Sequence, residues 1–241
     1  MRNKGKLKMY WALFKNEMHK LLPETMILVA LTLAVYLIVY YKATVHDTAY
    51  TAAVVLLGLT FLVPFLASFK VLSQEWSHQT IYLILSLPAS GALVLGAKLA
   101  ALSCQLLIGN LIAFFFGCLL IAIRFPLPGP VTFGPGTQML LATYLSFIVS
   151  TIFLICISFL SQIVGRLRHK LSKLITLVTF LVPLFLYSKL FFLIISEFNI
   201  MKFNPLSFQL WRPICYLLLE VLAAVVIFVI ASMVYDNKLE L

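Results

Sequence analysis

An all-helical, multi-pass membrane protein with six transmembrane helices is the fold class this sequence predicts, and three observations carry it. Of 241 residues, 63% are hydrophobic and 11% charged, where a soluble chain averages roughly half and a quarter. The mean hydropathy is +1.07, which excludes the soluble globular and the disordered classes. Six apolar stretches approach or exceed the ~20 residues that a helix needs to cross a hydrocarbon core about 30 Å thick.

The elements follow in chain order. Over residues 1–24, Leu7, Tyr10, Trp11, Phe14, Met18 and Leu21 recur at three- and four-residue steps, with Lys8, Lys15, Asn16 and His19 largely between them. That spacing predicts an amphipathic helix lying in the headgroup layer, its lysines toward anionic lipid. The spans are expected at 25–41, 49–71, 99–123, 138–164, 174–195 and 214–235, all within a single transmembrane domain over 1–241. Pro23 suits the first turn of the first span. Pro64 and Pro183 are expected to kink the second and fifth. The outer loop 124–137 carries several Pro–Gly turns and reads as a short rigid cap. The first span follows some twenty-four residues and ends without a small-x-small site, so a cleaved signal peptide is not expected.

Charge sets the expected orientation. Arg2, Lys4, Lys6, Lys8, Lys15, Lys20, Lys70, Lys98, Arg166, Arg168, Lys170, Lys173 and Lys238 fall on one side, thirteen of the eighteen basic residues. Lys42, Arg124, Lys189, Lys202 and Arg212 fall toward the other. The richer side is the cytoplasmic one, so both termini are expected there, in a cell membrane. No nucleic-acid partner is expected, because the lysines mark topology. Cys104, Cys118, Cys156 and Cys215 lie in or beside apolar stretches without a C-x-x-C spacing, and read as small apolar residues.

The chain lacks the parts of an enzyme. Gly91 to Lys98, G-A-L-V-L-G-A-K, puts its lysine one position late for a phosphate-binding loop and has no hydroxyl after it. No H-E-x-x-H or G-x-S-x-G occurs, and acids and histidines are too sparse for a metal site. No catalytic residue and no resident metal or cofactor are expected.

The loop between the second and third spans is more informative. Glu75 to Leu87 predicts a short cytoplasmic helix, with Ser73 as N-cap and Pro88 ending it. Trp76, Ile81, Ile84, Leu85 and Leu87 can lie on the membrane while Glu75, Gln79 and Thr80 face the cytoplasm. This segment resembles the signature stretch of ABC-2-type permeases: an acid, a threonine, an apolar run, Leu-Pro and then G-x-K. Glu75, Thr80, Leu87, Pro88, Gly96 and Lys98 stand at the matching positions. The six-span count, the N-terminal helix and the external segment 196–213, with Phe198, Phe203, Phe208 and Trp211, are similar to the same family. Gln79 stands where the family usually has glycine. The chain's small size is similar to permeases of antimicrobial-peptide immunity and export systems.

The resemblance implies a subunit that works with cytoplasmic ABC ATPases and with a second permease copy or a paralogue. ATP and Mg would bind on the ATPase, and the helix carrying Glu75 and Trp76 would couple to it. The expected function is an ATP-driven exporter of an amphiphilic or peptide-like substrate. A secondary transporter working alone, or a non-transporting membrane scaffold or signalling subunit, remains open as an alternative. Within the spans, Glu220 should lie about 10 Å below the outer face and Lys189 at a similar depth, at 1.5 Å per residue. The two are expected to form an ion pair, either in the substrate path or as a structural tie.

Overall fold

The computed structural model describes residues 2–42, 46–77, 90–124, 135–167, 171–197 and 205–239. Among these residues the chain forms six helices and no strands: α1 (Arg2–Lys42), α2 (His46–Ser77), α3 (Gly91–Arg124), α4 (Pro135–Arg166), α5 (Ser172–Glu197) and α6 (Pro205–Leu239). Each contains a stretch long and apolar enough to cross a membrane. The shortest helix has 26 residues, about 39 Å at 1.5 Å per residue, against a core of about 30 Å. The helices exceed the expected spans because an unpaired backbone group in an apolar medium costs several kcal/mol, so hydrogen bonding carries each helix beyond its apolar run.

Three boundaries differ from expectation. α1 is one 41-residue helix with Pro23 in its interior, so no break separates an N-terminal helix from the first span. Proline removes one backbone bond, whereas a chain break there would release several. α2 runs past 71 to Ser77, which puts Ser73 inside the helix and Glu75 and Trp76 in its last turn. α3 begins at Gly91 instead of 99, so Lys98 is a helix residue and not a loop cation. The rest of the expected short helix, with Thr80, Leu87 and Pro88, lies outside the described residues, as does the segment 125–134 of the outer loop.

The chain forms two compact units, Met1–Ala67 with Gly96–Thr132, and Ser68–Leu95 with Phe133–Leu241. In the first, α1 and α3 run parallel. Glu17 meets Lys98, Leu28 meets the position of Gly109, and Tyr36 that of Gly117. α2 runs against them: Tyr36 packs with Leu56, and Thr60 stands at Gly109. Small residues permit this approach. A Cβ on Gly109 would lie 2.8 Å from Leu28 Cδ2, and Gly109, Ala113 and Gly117 repeat at four-residue steps, the small-xxx-small pattern of close helix pairs in lipid. Hydrogen bonds complete the packing. The Tyr36 hydroxyl donates to the Ala113 carbonyl at 2.8 Å, and Thr60 Oγ1 donates to Asn110 Oδ1 at 3.1 Å.

In the second unit α4 is the central helix. Its apolar window is 56% buried, while that of α5 is 0% buried. α5 lies antiparallel on α4, with the Phe153 and Tyr187 rings 4.9 Å apart and Gly165 against Thr176. The last turns of α2 run parallel to α4. Ser68 and Ser158 hydroxyls lie 2.6 Å apart, and Gln162 Nε2 donates to the Ser68 carbonyl at 3.2 Å.

Candidate functional site at the junction of α2 and α3

The residues on both sides of the α2–α3 connection are fixed by neighbouring helices. At the end of α2, Leu72 is fully buried and Glu75 is only 4% exposed. At the start of α3, Ser90 closes the first turn, its carbonyl accepting from the Leu93 and Val94 amides at 2.9 and 3.2 Å. The Gly91 amide, one of the donors that a helix start leaves unpaired, donates to the carboxylate of Asp236 near the end of α6. Glycine is required there. A Cβ at 91 would lie 2.6 Å from Tyr235 Cδ1 and 2.7 Å from Asp236 Oδ1.

Tyr235 is itself buried, with both Glu75 and Asp236 within electrostatic reach of its phenol. On the neighbouring helix, the Arg166 guanidinium at the end of α4 sits 5.9 Å from the centre of the Trp76 ring, a cation–π contact. The ends of α2, α4 and α6 and the start of α3 are thus joined by polar and aromatic contacts over a few residues. No group of three or more His, Cys, Asp or Glu side chains converges among the described residues.

Two of the residues named from sequence, Glu75 and Trp76, therefore stand side by side at this junction. Glu75 is buried, within electrostatic reach of Tyr235 of α6. Lys98 lies farther along α3 and is 2% exposed, with its ammonium 3.2 Å from Glu17 Oε1 in α1. Lys20, one turn on from Glu17, holds the same oxygen at 2.8 Å. Two lysines thus share one buried carboxylate oxygen.

Lys189 and Glu220 are not brought together. Lys189 is exposed, its ammonium 5.6 Å from the Phe185 ring centre. The Glu220 carboxylate accepts from Ser150 Oγ at 2.6 Å and from Tyr187. The partners of this carboxylate are hydroxyl groups and not Lys189.

Glu17, Asp236, Tyr235 and Arg166 were not singled out from sequence. Glu17 is an acid in a basic tail, and Asp236 and Tyr235 belong to an ordinary-looking C-terminal end; only the fold gives each its partner. The Gly109–Ala113–Gly117 step was a readable sign of where α3 takes a neighbour. No protein-family model matches the chain, and no curated protein matches it in sequence.

Proposed function

We propose that the chain is the transmembrane permease subunit of an ATP-driven exporter of the ABC-2 type, moving an amphiphilic or peptide-like substrate across or out of the membrane. The observation that carries this reading is the anchoring of the α2–α3 connection. Gly91 is bonded to Asp236 and Glu75 lies within electrostatic reach of Tyr235, so both ends of the connection lie beside α6. A soluble partner that pushes on the connection thereby moves membrane helices, and no chemistry on this chain is needed. ATP and Mg bind on cytoplasmic ATPase partners, whose closure biases the bundle between two states. The signature resemblance of Glu75, Thr80, Leu87, Pro88, Gly96 and Lys98 supports the same reading.

On this reading both termini are cytoplasmic, as the excess of basic residues on that side favours. α1 is about 60 Å long at 1.5 Å per residue, twice the hydrocarbon thickness. Its first turns therefore reach the cytoplasmic headgroups, where exposed Trp11, Lys8 and Lys15 suit anionic lipid. The permease works as a pair, with a second copy or a paralogue.

The test is reconstitution of the purified complex into lipid vesicles loaded with a fluorescent amphiphilic peptide. The reading predicts peptide movement that requires ATP and survives ionophores. Movement that follows an ion gradient and ignores ATP would assign the chain to secondary transport.

A further inference from the structure

Among the described residues of the first unit, the buried polar side chains of α1, α2 and α3 make polar contacts, with one exception. Thr32 donates to the Leu28 carbonyl at 2.7 Å, Tyr36 to the Ala113 carbonyl at 2.8 Å, and Thr60 to Asn110 Oδ1 at 3.1 Å. The Asn110 amide donates to the Leu106 carbonyl at 2.9 Å, and Glu17 holds Lys98. Gln105 is the exception. Its side chain is fully buried, and neither Nε2 nor Oε1 has a hydrogen-bond partner.

The helix sets the place of this amide. α3 carries its apolar stretch over Gly91–Leu119, and position 105 is the midpoint of that stretch, so Gln105 lies near the centre of the bilayer. Residues 98, 105 and 109 share one face of α3, at steps of seven and four. On that face Lys98 meets Glu17 and Gly109 meets Leu28. Gln105 is thereby turned toward α1, between two levels at which the helices touch. α1 is the more peripheral of the two, its apolar window 17% buried against 39% for α3. An amide left unpaired in an apolar interior is costly, because both polar atoms lose water and gain no partner. A methionine would fill a similar space without that cost. A group that disfavours the closed arrangement is accounted for when another arrangement satisfies it. The complement of a glutamine amide is a second amide, each supplying one donor and one acceptor.

We propose that Gln105 is a binding residue for a backbone amide of the transported peptide, reached from the lipid when α1 parts from α3. The inference rests on the export reading above and names the group of the substrate that is recognised. A peptide amide entering the hydrocarbon has the same unpaired atoms as Gln105, and pairing the two satisfies both. The substrate thereby favours the open arrangement over the closed one.

The experiment uses the full chain, with the partner that co-purifies, in mild detergent. The probes are a fluorescent amphiphilic peptide and the same peptide with its backbone nitrogens methylated, which removes their donors. Gln105→Met and Gln105→Leu are compared with the natural chain for melting midpoint and for peptide binding without ATP. Both variants are expected to melt about 2 °C or more above the natural chain, since an unpaired buried amide is gone. The natural chain is expected to bind the unmethylated peptide about tenfold more tightly than the methylated one. The variants are expected to bind the two alike, to within about twofold, as coupled groups require. Variants that melt at or below the natural midpoint would overturn the proposal, because the amide would then be satisfied in the resting protein, by water. A preference for the unmethylated peptide that survives both substitutions would overturn it too, and so would a natural chain that does not distinguish the peptides. Since binding is read without ATP, a chain that discriminates the peptides but drives no ATP-dependent movement keeps the site and loses the export reading.

Discussion

Ser150 of α4 donates its hydroxyl proton to the carboxylate of Glu220 of α6 at 2.6 Å, 70 residues away in sequence. This contact joins the central helix of the second unit to the helix whose far end touches Gly91. Hydrogen bonds between membrane helices contribute about 0.6 kcal/mol on average and up to about 1.7. Ser150→Ala is accordingly expected to lower stability by roughly that amount, and chemical denaturation of the purified chain in detergent measures it.

Lys189 and Glu220 should behave independently. Since Lys189 lies over Phe185 and Glu220 bonds to Ser150, a double-mutant cycle with Lys189→Met and Glu220→Gln is expected to give a coupling below about 0.5 kcal/mol, the scatter of unlinked sites. A coupling of several times that size would restore the ion pair.

The glycines should rank by what surrounds them. Gly58 is exposed with nothing within 4 Å of an added Cβ, so Gly58→Ala should be neutral or stabilise by up to about 1 kcal/mol through helix propensity. Gly109→Ala meets the mobile end of Leu28 and should cost little. Gly91→Ala drives a methyl into the Tyr235 ring and should cost the most of the three, about 1–3 kcal/mol as overpacking does. Melting midpoints of the three variants in detergent give the order.

Asp236→Ala removes the acceptor of the Gly91 amide at the start of α3. A hydrogen bond to a charged acceptor contributes about 1.5–3 kcal/mol when buried, and part exposure of Asp236 puts the expected loss near the lower bound or below it. Hydrogen exchange should show it locally, as faster exchange at the first turn of α3 with the middle of the helix unchanged.

What could be read from the residues alone is explained by the medium. Hydropathy over ~20 residues reports the thickness of a bilayer, so all six helices were visible in order, although their ends were not. The ends depend on backbone hydrogen bonding, which carried α1 through Pro23 and α2 through Ser73 to Ser77. Pairings were hidden for a different reason. Lys98 looked like a loop cation because its partner, Glu17, belongs to another helix, and Lys189 and Glu220 looked like partners because depth was all that linked them. Equal depth does not give helices a common face. The signature residue Glu75 could be picked out, but its burial could not.

On the export reading a soluble ATPase acts on this chain, and purification of the tagged chain in mild detergent from its native host tests that. A soluble ATPase is expected to co-elute in fixed stoichiometry and to stay bound to the Asp236→Ala variant, whose export is lost while its ATP hydrolysis persists. Elution of the chain with no ATPase, under conditions that keep other membrane complexes intact, would contradict it.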